Sequence, residues 1–207
     1  MINDFSKYDI DFKNTRDLFS IDSSNNVIYY MYDYYKKWWI DKYPNNSNYK
    51  DSYFAFIALK NGNYNSSYKY KFPAAILKFL NHFNNDWLIC TVPGHEKTTN
   101  DSNCVSRVID MIFSNIKPQK CYSLIQRKYE VEKKHLSNNR KFDIDAEIKS
   151  LNINPRITVK DKKIIIFDDI TTTGLSLLAC KKLLLSAGAK QVVVVAIGKT
   201  KEPQYGY

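Results

Sequence analysis

The chain has 207 residues, of which 44% are hydrophobic and 25% are charged, and its formal net charge is +10. This composition is ordinary for a globular protein, and the length suffices for one domain with a substantial core and a subsidiary element. It excludes a membrane span, because no apolar run is long enough, and the first residues lack the basic-then-apolar plan of a signal peptide. We therefore expect a cytoplasmic protein with no membrane partner.

The N-terminal third predicts three elements. Apolar residues near helical spacing favour an amphipathic helix over residues 26–42, ending before Pro44. The run at residues 53–59, followed by Asn61-Gly62, predicts a strand and a hairpin turn. Residues 72–83 again have helical spacing.

Aromatic side chains cluster between residues 29 and 39. Such a stripe is most often part of a core or of an oligomer contact. It is also compatible with stacking on a base or on single-stranded nucleic acid. The sequence leaves these readings open.

A short apolar run at residues 86–92 ends in Pro93-Gly94, which predicts a strand followed by a turn. Residues 103–112 then have apolar positions at helical spacing, which predicts the next helix. A histidine after such a turn is more often a solvent-facing loop residue than a catalyst.

The middle of the chain is basic. A plausible second strand ends at Leu124-Ile125, and a long polar insertion follows over residues 127–154. Residues 117–163 hold thirteen Lys or Arg and six Asp or Glu, so most of the net charge lies here. Three alternative explanations of this charge remain open. They are nucleic-acid binding, a highly anionic small substrate and lysine-rich codon usage.

The most informative segment is residues 164–176, where four apolar residues precede Asp168-Asp169 and a run of hydroxyl residues around Gly174. Two adjacent charges at the end of a buried strand are costly, which favours a ligand that needs both. A helical pattern follows and ends near Gly188. A uniformly apolar run comes next, so residues 163–198 predict a βαβ unit of a parallel sheet.

The strand-to-helix loop of this unit has the chemistry of a phosphate site. Unpaired N–H groups and the helix dipole attract an anion, and Gly174 allows close approach of the backbone. The two carboxylates suit a pair of sugar hydroxyls, directly or through hydrated Mg²⁺. A phosphate beside a vicinal diol describes a ribose 5-phosphate. The alternative is an ordinary buried strand before a Thr-capped helix.

This segment closely resembles the phosphoribosyl-pyrophosphate signature of the type I phosphoribosyltransferases. The resemblance implies an α/β fold with a mostly parallel central sheet flanked by helices and a small N-terminal hood. It implies that Asp168 and Asp169 are the catalytic pair, contacting the ribose hydroxyls and Mg²⁺. The residues implied to bind the 5-phosphate are Ile170, Thr171, Thr172, Thr173, Gly174, Leu175 and Ser176.

The turn after residue 92 looks most like that of the competence-protein-F branch of this family. The resemblance implies a pyrophosphate loop formed by Pro93, Gly94, His95 and Lys97. The chain departs from that branch because Thr98-Thr99-Asn100-Asp101-Ser102-Asn103 replaces an Arg-Gly-Phe-Asn run and because the N-terminal zinc-binding cysteine cluster is missing. The four cysteines lack zinc-ligand spacing and indicate thiols in a reducing compartment.

The resemblance also implies a mobile loop that closes over the site, within the basic insertion. Its candidate pyrophosphate contacts are Lys128, Lys133, Lys134, Arg140 and Lys141, although a solvated charge run is an equal alternative for each. The hood is assigned to residues 1–70 and the phosphoribosyltransferase-like core to residues 71–207.

The implied activity is transfer of a phosphoribosyl group to or from a nitrogenous base or amine, with Mg²⁺ as cofactor. The partners would be phosphoribosyl pyrophosphate or a nucleotide, and a homodimer is compatible with the sequence. Two alternatives remain. One is a non-catalytic sensor or regulator with the same fold, and the other is a nucleic-acid-associated protein in DNA uptake or defence.

Overall fold

The computed structural model describes residues 28–62, 71–95, 103–131 and 143–201. Five strands form the central sheet: β1 (Tyr29–Tyr34), β2 (Trp87–Thr91), β3 (Gln119–Lys120), β6 (Lys163–Thr171) and β7 (Gln191–Thr200). They lie in the order β1-β7-β6-β2-β3, and every neighbouring pair is parallel. A separate antiparallel pair consists of β4 (Ile125–Arg127) and β5 (Leu151–Ile153).

Within the described ranges, six α-helices accompany the strands: α1 (Lys37–Lys42), α2 (Ser47–Asn61), α3 (Lys71–Leu80), α4 (Cys104–Ile112), α5 (Ile144–Lys149) and α6 (Leu175–Ser186). The predicted α/β class, with a parallel central sheet flanked by helices, is confirmed. No helix in the described ranges is both long enough and apolar enough to cross a bilayer.

The sheet is covered on both faces, and β6 shows how. Ile165 and Phe167 pack in a cluster with buried residues of α2, α3 and α4. Ile164 and Ile166 point the other way, into a cluster with buried residues of α6 and of the β4–β5 pair. This alternation is the period-2 pattern of a strand, and it explains why β6 is apolar at successive positions.

The predicted βαβ unit is confirmed by β6, α6 and β7. Gly188 lies just after α6 with φ of 89°, a left-handed conformation that suits glycine at a helix C-terminus. Helical spacing predicts an apolar face with Leu175, Leu178, Ala179 and Leu183, whereas α6 buries Leu177, Ala179, Cys180 and Leu184. The predicted strand before residue 92, the helix after residue 103 and the helix starting near residue 72 are also confirmed.

Two predictions in the N-terminal third are wrong. The helix expected over residues 26–42 is strand β1 followed by the short helix α1. The strand and hairpin expected at residues 53–62 form helix α2, which ends where Gly62 takes φ of 66°. The turn-forming Asn-Gly pair therefore terminates a helix here, because a left-handed glycine serves either purpose.

Strand β1 ties the N-terminal segment to the central sheet. It pairs in parallel with β7 over Tyr29–Tyr34, opposite residues 195–200. Helix α2 packs on the same sheet so closely that a Cβ on Gly198 of β7 would lie 2.4 Å from the Phe56 ring. The described part of residues 1–70 thus shares the sheet and the core cluster with the rest of the chain.

The basic insertion contains more structure than expected. Residues 127–154 include α5 and β5, and β5 returns alongside β4. The strand expected to end at Leu124-Ile125 is also different: Leu124 belongs to a 3-10 turn, and Ile125 begins β4 outside the central sheet. In the central sheet, the strand that pairs with β2 on the side away from β6 is the two-residue β3 instead.

Candidate active site

The carboxyl ends of β2, β6 and β7 meet at one edge of the sheet. The N–H of Val92 donates to the carbonyl oxygen of Phe167 at 2.8 Å, so the chain leaving β2 starts beside the chain leaving β6. On the other side, Ile170 of β6 is in register with Gly198 of β7. The two predicted loops therefore lie next to each other, where open α/β sheets bind ligands.

Asp168 and Asp169 continue β6 at this edge, and both are partly buried. Each carboxylate accepts the next backbone N–H, from Asp169 at 2.9 Å and from Ile170 at 2.6 Å. Strand alternation directs neighbouring side chains to opposite faces, so Asp169 points toward the α2 and α4 side. The two carboxylates therefore lie on opposite faces of the sheet at the end of β6.

Burial and, secondly, the negative charge of Asp169 raise the pKa of Asp168 to about 8. The N–H of Asp169 and the cation of Lys60 act in the opposite direction and lower this pKa. A carboxyl with such a pKa holds a proton at neutral pH until a cation or a hydrogen-bonding ligand arrives. Carboxyls with strongly shifted pKa values cluster at functional sites, which makes this pair a candidate binding site.

Lys60 and Cys104 are site neighbours that the sequence analysis missed. The Lys60 Nζ, from the last turn of α2, lies 3.5 Å from Asp169 Oδ2. The Cys104 thiol, from the first turn of α4, lies 3.7 Å from the same oxygen. Burial and the Asp169 charge raise the pKa of Cys104 to about 12, so it remains a thiol. Neither residue has a sequence signal, since both come from helices distant in the chain.

The predicted phosphate loop joins β6 to α6. Gly174 is the N-cap of α6 with φ of 79°, and no side chain caps the helix from that position. The Thr173 hydroxyl is the acceptor for the N–H of Leu175, at a long 3.4 Å. The first turn of α6 thus presents N–H groups and the positive end of the helix dipole to this edge.

Strand β7 braces the loop from the side. Thr172 and Thr200 share a hydroxyl hydrogen bond of 2.9 Å, and the buried Lys199 donates to the carbonyl of Thr172. Burial and then the nearby Lys201 lower the pKa of Lys199. A lysine at the end of an otherwise apolar strand is a signal that sequence analysis could have used.

Pro93, Gly94 and His95 of the predicted pyrophosphate loop follow Val92, whose N–H contacts the carbonyl just before the two aspartates. Gly94 is exposed, and a Cβ there would meet nothing within 4 Å. The carbonyl of His95 accepts the N–H of Val131 at 2.9 Å, which ties this loop to the start of the basic insertion. Lys97 lies outside the described residues.

Arg127 is a third residue that the sequence analysis left unassigned. It is buried, and its Nε donates to the carbonyl of Gly94 at 2.9 Å. Ser176, predicted to bind phosphate, has its hydroxyl 3.1 Å from Glu147 Oε1 on α5. Of the mobile-loop candidates, Lys128 is exposed to solvent. The remaining candidates, Lys133, Lys134, Arg140 and Lys141, lie outside the described residues.

The donor set is small. Among the described residues, no group of three or more His, Cys, Asp or Glu side chains could hold a metal ion. Two carboxylates suit Mg²⁺, which keeps several waters and takes further oxygens from a phosphorylated substrate. Asp168 and Asp169 are therefore compatible with Mg²⁺ that arrives with its ligand, and not with a dedicated protein cage.

Residues 112–205 match the family model described as "Phosphoribosyl transferase domain". The match spans less than half of the chain and includes β6, the loop after it, α6 and β7, but not the loop after β2. The predicted enzyme class, a transferase of phosphoribosyl groups, is the class that this match indicates. It does not distinguish the competence-protein-F branch. A search of the curated proteins finds no match.

Solved structures similar to this chain include phosphoribosyltransferases. A hypoxanthine phosphoribosyltransferase from Staphylococcus aureus is 11% identical, with 72% of this chain and 73% of that chain covered and a TM-score of 0.38. A purine phosphoribosyltransferase from Pyrococcus horikoshii Ot3 is 15% identical, with coverage of 83% and 90% and a TM-score of 0.35. Because both TM-scores are low, our description of the fold rests on the strands and helices of this chain and not on these two structures.

Proposed function

We propose that this protein binds phosphoribosyl pyrophosphate, or a ribose 5-phosphate nucleotide, together with Mg²⁺. It would transfer the phosphoribosyl group to or from a nitrogenous base or amine. The observation that carries the proposal is the convergence at one sheet edge of Asp168, Asp169 and the N-terminus of α6, whose N-cap residue Gly174 provides no side-chain cap. Carboxylates for a diol and N–H groups for a phosphate are thereby adjacent.

The chain's own residues would act by positioning and by electrostatics. The N–H groups after Gly174 would hold the 5-phosphate, and the loop at residues 93–95 would receive the pyrophosphate. Asp168 and Asp169 would fix the ribose hydroxyls and stabilise the positive charge that develops on the ring as pyrophosphate leaves. When bound, Mg²⁺ would neutralise charge on the leaving pyrophosphate. No covalent intermediate is required.

An acceptor site is proposed beside β1. Tyr35 follows the carboxyl end of β1, and β1 ends at the same sheet edge as β6 because the strands are parallel. Its ring lies 4.5 Å from that of Tyr49 and 5.7 Å from that of Trp39. Tyr35 and Tyr49 of the proposed hood are partly exposed and would offer a stacking surface for a base, whereas the buried Trp39 would support their rings from behind. The competence-protein-F relationship, a homodimer and a cytoplasmic location belong to the same proposal.

The test is calorimetric titration with phosphoribosyl pyrophosphate and Mg²⁺, comparing wild type with the double variant Asp168→Asn and Asp169→Asn. Wild type is expected to bind, and the double variant is expected to lose at least about tenfold in affinity, since each carboxylate would contribute charge-assisted contacts. Binding would justify screening bases and amines for release of pyrophosphate.

A control double variant, Asp86→Asn and Asp161→Asn, removes the same charge just before β2 and β6, at the opposite edge of the sheet. Asparagine tolerates the left-handed backbone of residue 161, where φ is 62°. The control should bind as wild type does. Equal binding by all three proteins would refute the site, and no binding by folded wild type would make nucleic acids the next ligands to test.

A further inference from the structure

A buried ion pair lies behind the two loops. Arg127 and Glu147 have side chains only 2% and 5% exposed, and Arg127 Nη2 lies 2.8 Å from Glu147 Oε1. Arg127 Nη1 donates to the hydroxyl of Ser150, which itself donates to the carbonyl of Glu147 at 2.6 Å. Burial of two charges is costly, and this pair is retained with its hydrogen-bonding groups engaged.

Each member of the pair extends to a different loop. Arg127 Nε donates to the carbonyl of Gly94, in the loop after β2. Glu147 Oε1 is the acceptor for the hydroxyl of Ser176, in the first turn of α6. A chain of three polar contacts thus runs from one loop to the other through the side chains of Arg127 and Glu147.

The contact with Gly94 has an electrostatic consequence. A backbone carbonyl carries partial negative charge, so one directed at a bound anion would repel it. The guanidinium of Arg127 engages this carbonyl from the protein interior and partly offsets its charge. The neighbouring N–H groups then dominate the loop's electrostatics toward an anion.

The contact with Ser176 changes the role expected for that residue. A hydroxyl has one proton, and here that proton is directed to a carboxylate. A phosphate offers only acceptors, so Ser176 cannot donate to it while it donates to Glu147. Its contribution is to hold the first turn of α6 in place, which leaves the backbone N–H groups as the donors.

We propose that Arg127, Glu147 and Ser176 form a positioning network that fixes the two loops relative to each other. It thereby sets the affinity for both phosphate ends of one ligand. The inference rests on the proposed function and adds residues that act without touching the substrate. Coupled orientation of this kind is how supporting partners tune a binding site.

The test measures the affinities for ribose 5-phosphate and for pyrophosphate, each with Mg²⁺, by calorimetry. Of the two loops, Arg127 directly contacts only the one after β2. Arg127→Lys is nevertheless expected to weaken the binding of both ligands by about tenfold, the scale typical of orienting partners. Ser176→Ala should weaken ribose 5-phosphate. The double variant, Arg127→Lys with Ser176→Ala, should bind ribose 5-phosphate no more weakly than Arg127→Lys alone, because both changes break the same chain of contacts.

A matched control is Asp145→Asn. Its ion pair with Lys182 also joins α5 to α6, but the two side chains are 70% and 56% exposed and contact neither loop. This variant should leave both affinities unchanged. Because a lone buried charge can prevent folding, the paired change Arg127→Met with Glu147→Met provides a neutral alternative that should show the same loss for both ligands.

Hydrogen exchange supplies a readout that needs no ligand. Arg127→Lys should raise amide exchange at residues 172–177 as well as at Gly94 and His95, whereas Asp145→Asn should not. The network would be overturned if the rise were confined to Gly94 and His95, or if the affinity losses of the two single variants multiplied in the double variant. Failure of wild type to bind phosphoribosyl pyrophosphate would instead overturn the proposed function, and the exchange result would still decide the network.

Discussion

The βαβ unit at residues 163–200 and the N-terminal segment at residues 28–62 differ in how their residues specify structure. In the first, the order and type of the elements agree with their tertiary setting: apolar strands are buried on both faces, and the helix between them ends at a glycine. In the second, local patterns conflict with the setting. Helical spacing lies in strand β1, and a β-like run lies in helix α2.

The difference shows where tertiary contacts override local preference. A strand at the end of a sheet gains its hydrogen bonds from one partner, which here is β7. Helix α2 is fixed by packing Ala55, Phe56 and Leu59 against the sheet. Local propensity is a weak prior in such segments. The two regions meet at Phe56 and Gly198, which makes that contact the place to test the comparison.

Gly198→Ala is expected to have the largest effect on stability. The new Cβ would meet the buried Phe56 ring at 2.4 Å, so α2 must move or the ring must leave its position. Overpacking of this kind lowers the free energy of unfolding by roughly 1–3 kcal/mol. Urea denaturation measures it.

Gly94→Ala is the matched control, since its Cβ meets nothing within 4 Å and its stability should change by less than about 0.5 kcal/mol. Adding Phe56→Leu to Gly198→Ala should recover part of the loss. Equal stability of the two glycine variants would mean that α2 does not pack on β7 as described.

Asp168→Asn should stabilise the ligand-free protein, although it disables the proposed site. Because burial raises the pKa of Asp168 from 3.8 to about 8, the folded state binds a proton that the unfolded state releases above pH 4. Wild type therefore loses stability from this group as the pH rises from about 4 to about 8. Discounted for partial exposure, the gain in the variant at pH 8 is roughly 2 kcal/mol.

Denaturation of both proteins from pH 4 to pH 9 checks this prediction. The difference between them should be small at pH 4, grow with pH and level off above pH 8. A difference that stays constant over this range would show that Asp168 ionises normally in the folded protein.

Lys60→Gln tests what the N-terminal segment contributes to the site in the βαβ unit. Lys60 lies 3.5 Å from Asp169 and lowers the pKa of Asp168, so its removal should raise that pKa further. The lysine is about half exposed and solvent screens its charge, so the expected rise is small beside the effect of burial. The pH range over which the protein loses stability through Asp168 should therefore extend to higher pH in the variant. A shift of this range to lower pH would contradict the described contact.

The smallest effect is expected for Asp33→Asn, which removes the ion pair between β1 and Lys201 at 3.3 Å. Both side chains are about one-third exposed. Such pairs contribute less than about 1 kcal/mol, and less still at high salt. Urea denaturation at low and high salt should show this dependence. Complete unfolding by this change would mean that β1 is far less securely paired than its register with β7 implies.

Particular residues show how much of the site could be predicted. Asp168 to Ser176 and the turn at Pro93-Gly94 could be placed on one sheet edge, because parallel strands end on the same side. Lys60, Cys104 and Arg127 could not, since each comes from an element whose approach depends on helix packing. The contact of Ser176 with Glu147 could not be predicted either, because that carboxylate comes from a helix formed within the basic insertion.

The sequence by itself determined the parallel sheet, the βαβ unit and the acidic and glycine loop, because these depend on burial periodicity and backbone chemistry within short stretches of chain. Only the tertiary structure decided that β1 pairs with β7, that α2 brings Lys60 to Asp169 and that Arg127 and Glu147 connect the two loops. The physical reason is the sequence separation of the residues in contact. Contacts between residues far apart in the chain depend on how whole elements pack, which local periodicity does not encode.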